Sequence, residues 1–249
     1  MTTAQQYDTL STDYHWLYSD HTLSGRMALD DNGDVLALTD PKASILDCSC
    51  GTGTFAIALA KLGYEVSGSD GSQGMVDRAI LAARQVNINL PLECCVWANL
   101  PGHFTNNFDL IFCLGNSIGH VRDKEEMVQS LRGMRQVLKE HGKLVIELRD
   151  WEQLRKEKTR FTLFQWRERG GQRCLPIYVW TFPESFDDPH ITEVLLVFEA
   201  GGEASIRSYP IVYYPFHLEE LTERLRCAGF GETEIRFSKD HTAYRVIAS

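Results

Sequence analysis

Between residues 42 and 146 the chain alternates short apolar runs with longer helical stretches, the pattern of βαβ units and of a doubly wound, mainly parallel α/β sheet. Strands are expected at 44–48, 64–70, 92–97, 108–114 and 143–148, with helices between them at 54–63, 75–85 and 123–139. The run FDLIFCL at 108–114 is apolar enough for the middle of a sheet covered on both faces. In the third helix Met127, Leu131, Met134 and Leu138 recur at helical spacing. Asp123 and Glu126 read as a capping box at its start, and Gly142 as the stop beyond its end.

After Trp151 the texture changes. From 161 to 216, β-rich runs separated by RERGGQ, PESFDDP and EAGGEA predict an antiparallel insert. A last helix at 218–228, with Leu218, Leu221 and Leu225 on one face, and two short strands around Ile235 and Val246 lead back to the first sheet. The expected organisation is a helical lid over 1–40, a core formed by 41–150 and 215–249, and the antiparallel β insert over 151–214.

Charge and cysteine usage narrow the partners. With 25 Lys+Arg against 34 Asp+Glu the formal charge is −9, a poor match for a phosphate backbone or an anionic membrane, so neither nucleic acid nor membrane is expected. Seven cysteines, an odd number lying mostly in apolar runs, point to reduced core thiols and a cytoplasmic location. No basic-then-apolar leader and no apolar run of about 18 residues occurs. No cluster of His, Cys and carboxylates suggests a metal, and a monomer or small homo-oligomer are both open.

The run ILDCSCGTGTFAIALA places Asp47 at a strand end and Gly51 and Gly53 in the turn before a helix. At the carboxyl edge of a doubly wound sheet, such glycines let backbone N–H groups approach a ligand. The third glycine of the dinucleotide fingerprint and a phosphate-cradling Lys-Ser/Thr are both missing, which argues against a phosphorylated nucleotide. Asp70 ends the next strand, where a carboxylate can accept both ribose hydroxyls of an adenosine; its alternative reading is a helix N-cap. Met75 suits the face of an adenine.

This D-x-x-x-G-x-G followed by an acidic strand end resembles the class I S-adenosylmethionine-dependent methyltransferases. The resemblance implies a Rossmann-like seven-stranded sheet and S-adenosyl-L-methionine as cofactor. Carried onto this sequence, it brings Ser49, Gly51 and Gly53 to the methionine part, Asp70 to the ribose, and Val96 and Trp97 to the adenine, with Leu114 and His120 from the motif that follows the fourth strand. Val96 stands where the family commonly has an acidic residue, so a backbone N–H would serve there, with Trp97 as a stacking wall.

Three further stretches, CLGNSIGHV at 113–121, IELRDW at 146–151 and YYPFHL at 213–218, resemble the glycine and glycine-sarcosine N-methyltransferases. That resemblance implies methyl transfer to the amine of a small amino acid, glycine and/or sarcosine, of the kind that leads to betaine. It also implies a lid in which Tyr7, Trp16 and Arg26 bind the methionine end and Tyr18 faces the acceptor; the alternative is that these residues simply pack an amphipathic helix. Independently, a carboxylate carried into a closed site calls for a fork of donors, which Arg149 offers at a strand end, with Asn116 adding an amide. A salt bridge from Arg149 to Asp150 or Glu147, and local capping by Asn116, are the competing readings. Tyr178, Tyr213 and Tyr214 are candidates to line the acceptor pocket, although for Tyr178 packing is the preferred role. His120 is expected to orient a loop rather than act as a base, because a neutral amine is already nucleophilic. A different N, O or S acceptor, and a noncatalytic sensor that only binds the cofactor, stay open.

Overall fold

A computed structural model describes residues 1–105, 107–238 and 242–249. The chain begins with α1 (Thr3–Leu10), a 3₁₀ turn (Tyr14–Leu17), α2 (Asp20–Leu23), α3 (Arg26–Asp31) and α4 (Gly33–Leu36). The α/β portion follows as β1 (Ser44–Asp47), α5 (Thr54–Lys61), β2 (Glu65–Asp70), α6 (Gln73–Gln85), β3 (Leu92–Cys94), a 3₁₀ turn (Trp97–Asn99), α7 (Leu100–His103) and β4 (Phe108–Cys113). After a 3₁₀ turn (Ser117–His120) come α8 (Lys124–Gln136), β5 (Leu138–Arg149) and α9 (Trp151–Glu157). The remaining elements are β6 (Phe161–Leu163), β7 (Arg167–Arg169), β8 (Gln172–Thr181), β9 (His190–Ala200), β10 (Glu203–Tyr213), α10 (Leu218–Cys227), β11 (Thr233–Phe237) and β12 (Ala243–Ala248).

The first sheet has seven strands in the order β11-β12-β5-β4-β1-β2-β3. β1, β2, β3, β4 and β5 pair in parallel, and β12 runs antiparallel to both β5 and β11. Strand order reverses between β1 and β4, and a crevice opens there at the carboxyl edge. Covered on both faces, the central strands carry apolar side chains at successive positions. Leu46, Ile111, Leu144 and Ile146 pack on Met127, Leu131 and Met134 of α8 and on Leu221 and Leu225 of α10. Ile45, Phe112 and Val145 pack on Phe55, Ala56 and Leu59 of α5 and on Val35 and Leu36 of α4. This is the seven-stranded, mainly parallel architecture expected from the sequence.

Several boundaries differ. The third strand is short, because the chain turns after Cys94 towards the Trp97–Asn99 turn. α8 stops at Gln136 and β5 begins at Leu138, so Gly142 does not terminate the helix; it lies within β5, where a Cβ would come 2.9 Å from the Phe108 carbonyl oxygen. The capping box is half formed. Asp123 Oδ1 accepts from the Glu126 N–H at 2.8 Å, but the Glu126 carboxylate turns to the Arg122 backbone and guanidinium. A helix, α9, opens the segment expected to be wholly β; Asp150 caps it by accepting from the Gln153 N–H at 2.9 Å.

The second sheet is antiparallel, in the order β10-β9-β8-β6 with β7 also paired to β8. Its inward face, including Trp180, Val194, Leu196, Phe198 and Tyr213, packs on Leu10, Trp16 and Leu17 of the N-terminal segment and on Trp151. That segment is therefore held from two sides. Arg207 Nη1 donates to both carboxylate oxygens of Asp13, at 2.8 and 2.7 Å, and the Tyr209 hydroxyl donates to the same carboxylate at 2.5 Å. On the other side Asp8 accepts from the Ser72 hydroxyl at 2.6 Å and from the Gly74 N–H at 2.9 Å. All seven cysteines are free thiols, and Cys48, Cys50, Cys95, Cys113 and Cys174 are buried. Among the described residues no helix is long and apolar enough to cross a membrane.

Candidate functional site

A cavity of about 1050 Å³ lies along the carboxyl edge of the first sheet beneath the N-terminal segment, a size suited to a whole cofactor. Its floor comes from the loops that follow β1, β2 and β4. Gly51 has φ 52° and reaches the wall, and its N–H donates to Asp70 Oδ2 at 2.9 Å. The other oxygen, Asp70 Oδ1, accepts from the Ser72 N–H at 2.9 Å, so one carboxylate ties two loops together. Asp70 is not the N-cap of α6. Ser72 is, its hydroxyl accepting from the Met75 N–H at 3.2 Å, and Met75 is buried at the cavity wall.

Ser49 joins the β1 loop to the β4 loop: its hydroxyl donates to the Leu114 carbonyl at 3.2 Å and accepts the Leu114 N–H at 2.9 Å. Trp97 Nε1 donates to the Cys48 carbonyl at 2.7 Å, which fixes the indole against the wall beside Val96.

Among the carboxylates that line this cavity are those of Asp47, Asp70 and Glu147. Burial raises all three from the usual carboxylate range, Asp47 to about 7; Asp31 adds to the effect on Glu147 and Arg245, its cross-strand neighbour, opposes it. No salt bridge to any of them occurs among the described residues. Asp47 and Asp70, with no cation beside them among the described residues, favour a ligand that brings positive charge.

The roof is phenolic. Tyr7, Tyr14 and Tyr18 line the cavity, and burial pushes each hydroxyl well above its ordinary pKa, so all three stay protonated. The Tyr14 and Tyr18 hydroxyls are hydrogen bonded at 2.9 Å. His120 Nδ1 lies 2.9 Å from the Val212 carbonyl, so it is the protonated nitrogen, and Nε2 accepts from the Tyr7 hydroxyl at 2.9 Å. Burial lowers His120 to about 4, which keeps the ring neutral.

Beside the cavity is a second cluster. Arg149 follows Glu147 on the same face of β5, and its guanidinium lies 4.7 Å from the Trp180 ring centre and 5.8 Å from that of Trp151. The Arg149 backbone N–H donates to Asn116 Oδ1 at 3.0 Å, and Asn116 itself is held in a left-handed conformation, φ 62°. Three donors here, Arg149 Nη1, Asn116 Nδ2 and Trp151 Nε1, are buried with no hydrogen-bond partner among the described residues. Asn116 Nδ2 and the Trp151 ring both border Gly119, where a Cβ would meet them at 3.4 and 3.0 Å. Tyr213 stacks on His120 at 4.5 Å and lies 5.2 Å from Trp151, linking this cluster to the cavity. Tyr178 is close enough for the Arg149 charge to act on its phenol. A buried donor left unpaired costs about 1–3 kcal/mol, so three such donors in one cluster are chemically suited to an anion.

Of the residues expected at the site, Tyr7, Tyr18, Ser49, Gly51, Asp70, Met75, Val96, Trp97, Leu114, His120 and Tyr214 line the cavity. Asn116, Arg149, Tyr178 and Tyr213 belong to the adjoining cluster. Three do not reach either. Trp16 is turned to the insert, edge-on to Phe198 at 5.5 Å with the Arg169 guanidinium 5.3 Å from its ring centre. Arg26 is exposed, its side chain 70% accessible and 3.7 Å from Asp30, while Met27, Ala28 and Asp31 of the same helix reach the wall instead. Gly53, φ 81°, serves helix packing, since a Cβ there would stand 3.0 Å from that of Ala79. Glu147, Tyr14, Trp151 and Trp180 were not singled out by the sequence. Glu147 had a signal, two positions before Arg149 on one strand face; Trp180 had none, because only long-range pairing of β8 brings it over Arg149.

Residues 45–142 match the methyltransferase domain family. Over 45% of the chain the sequence is 33% identical to the glycine/sarcosine N-methyltransferase of Parasynechococcus marenigrum, and that stretch covers 39% of the relative. A similar enzyme of Aphanothece halophytica is 32% identical over 41% of its length, so the chain spans about two fifths of these relatives. Human glycine N-methyltransferase is 30% identical over 81% of this chain and 74% of its own. Among solved structures, the CcbJ methyltransferase of Streptomyces caelestis superposes with a TM-score of 0.78 at 19% identity, covering 100% of this chain and 98% of that one. CalS10 of Micromonospora echinaspora, an amino pentose methyltransferase with S-adenosylmethionine bound, gives 0.75 at 17% identity over 97% of both chains. These structural likenesses establish the fold.

Proposed function

Since the chain belongs to the S-adenosylmethionine-dependent methyltransferases, we propose that it transfers the methyl group to the amine of a small amino acid, glycine or sarcosine. The observation that carries this reading is the trio of buried, unpartnered donors, Arg149 Nη1, Asn116 Nδ2 and Trp151 Nε1, next to the cavity. A carboxylate with two acceptor oxygens answers such a fork. An amine acceptor without a carboxylate would leave all three unpaired.

The residues present fit the cofactor. Asp70, Met75 and Trp97 would hold the nucleoside, Gly51, Ser49 and Leu114 the loop edge beside the methionine part, and the carboxylate of Asp47, with no cation beside it among the described residues, suits its positive charge. S-adenosylmethionine, when bound, supplies an electrophilic methyl group on a sulfonium.

The protein's own contribution is alignment. Arg149 and Asn116 fix the acceptor carboxylate, and the short reach of an α-amino acid then restricts where its nitrogen can stand. Alignment of this kind is worth up to about 7–11 kcal/mol of barrier. Tyr18 on the cavity wall and Tyr213, between His120 and Trp151, offer ring faces that favour a cation and hydroxyls that can accept from the amine. His120, neutral and already bonded on both ring nitrogens, is a positioning residue for Tyr7 and not a base.

Methyl transfer to glycine, to sarcosine and to ethylamine, which lacks a carboxylate, tests the reading when measured for the wild type and for Arg149→Ala. Turnover on glycine or sarcosine that is absent with ethylamine and lost in Arg149→Ala supports it. Equal turnover on ethylamine would overturn it.

A further inference from the structure

We propose that Gln6 is a positioning residue for the acceptor site: by bonding the end of β10 to α1 it fixes Tyr213 against the Arg149 cluster. This role rests on the function proposed above and deepens it. Gln6 is a polar side chain where an apolar one would pack. The buried positions of α1 are Gln6 and Leu10, four residues apart on one face. Leu10 joins the apolar cluster beneath the second sheet, and Gln6 is only 7% exposed. Burying an amide there costs free energy unless it is bonded.

Its bond goes to a strand edge. β10 is the outermost strand of the second sheet, so one side of its backbone has no neighbouring strand. At Val212 both groups on that side are taken by side chains. The N–H donates to Gln6 Oε1 at 3.3 Å, and the carbonyl accepts from His120 Nδ1 at 2.9 Å. Pro210, two residues earlier on the same side, has no N–H to satisfy. Two residues later the Tyr214 N–H donates to the Gly119 carbonyl at 2.8 Å.

Between these anchored peptides stands Tyr213. Its ring stacks on His120 at 4.5 Å and lies 5.2 Å from Trp151 and 5.9 Å from Trp180, the two indoles beside the Arg149 guanidinium. His120 and Gly119 hold this end of β10 to the turn after β4. Among the described residues, the direct hydrogen bond between α1 and β10 is that of Gln6. Asp8, two residues further along α1, points to nearly the opposite side of the helix. It accepts from the Ser72 hydroxyl and the Gly74 N–H, in the loop that Asp70 ties down. α1 thus bridges the loop at the nucleoside end and the wall of the acceptor site, and losing the Gln6 bond releases the wall without unseating the helix.

Two variants test this. Gln6→Met keeps the length and burial of the side chain but cannot accept from Val212, whereas Gln6→Glu keeps an oxygen at the same reach. Kinetics with glycine and sarcosine, calorimetry with S-adenosylmethionine, thermal melts and hydrogen exchange are compared with the wild type. Loss of one hydrogen bond in Gln6→Met is expected to raise the acceptor KM about 5- to 10-fold. Cofactor affinity should stay unchanged, exchange should accelerate at residues 212–214, and Gln6→Glu should restore most of the KM. A Gln6→Met that melts lower but keeps the wild-type acceptor KM, a cofactor affinity that falls as far as the KM rises, or equal damage in both variants would overturn the role of Gln6 and leave the proposed function standing. A wild type that turns over neither acceptor would overturn the proposed function, and this role with it.

Discussion

Asn116 Oδ1 accepts the backbone N–H of Arg149 at 3.0 Å, which welds the turn after β4 to the end of β5 and leaves the buried Asn116 amide nitrogen without a partner among the described residues. One amide thus uses its oxygen for positioning, and in the proposed reading its nitrogen is the one that would donate to the acceptor carboxylate. Arg149 is arranged alike, its backbone N–H engaged and one guanidinium nitrogen buried without a partner among the described residues.

Because the guanidinium is held against two indole rings, its planar fork matters as much as its charge. Arg149→Lys keeps the charge but neither the fork nor the stacking, so it is expected to rescue little. The apparent KM for glycine should rise about 10- to 100-fold in Arg149→Lys, with cofactor affinity by calorimetry unchanged. A Lys variant with wild-type KM would show that charge alone suffices.

Asp70 accepts two backbone N–H bonds, from Gly51 and Ser72. In Asp70→Ala both loops lose their tie, and a nucleoside loses a carboxylate acceptor; hydrogen bonds to a charged group are worth about 1.5–3 kcal/mol each. S-adenosylmethionine affinity is expected to fall at least about 10-fold by calorimetry. Unchanged affinity would remove Asp70 from the cofactor site.

Burial raises Asp47 to about 7, whereas in an unfolded chain an aspartate titrates near 4. Between these values the ligand-free folded state holds a proton that the unfolded state has lost. Stability contributed by this group is therefore highest at low pH, falls as pH rises from about 4 to about 7, and is level above that. Asp47→Asn removes the slope, so its melting temperature should exceed that of the wild type by more at about pH 8 than at about pH 5. For S-adenosylmethionine the sign reverses: the ionised carboxylate favours the cation, and wild-type affinity should drop as pH falls below about 7. A pH-independent difference in melting would show that Asp47 is not the titrating group.

The N-terminal segment is held by the Asp13 carboxylate, which receives Arg207 and Tyr209 from β10. Asp13→Ala frees one side of it while Asp8 still anchors α1 to α6. Hydrogen exchange should accelerate in residues 10–36 with little change in β1 to β5. Equal protection in variant and wild type would contradict a holding role for Asp13.

Much of the first sheet was legible because strands covered on both faces must be apolar at successive positions, as in Leu110, Ile111 and Phe112. The carboxyl-edge residues were legible for a related reason: Gly51 and Asp70 lie within a short stretch of chain joined by one loop contact. The end of α8 was misread since Leu138 continues the apolar spacing of Met127, Leu131 and Met134, yet its burial serves the pairing of β5 with Phe108. The lid was harder still. Trp16 faces the insert because Phe198 and Arg169, far along the chain, pack on it, and no local pattern carries that information. Arg26 follows Gly25, whose close approach to the Thr54 carbonyl sets the path of α3 and turns the guanidinium outward.

The central claim is tested most directly by incubating the chain with S-adenosylmethionine and a panel of amines and amino acids and weighing the products by mass spectrometry. The account predicts that glycine or sarcosine gains one methyl group per transfer and that amines lacking a carboxylate gain none. Methylation of carboxylate-free amines alone, or cofactor binding with no product from any acceptor, would contradict it.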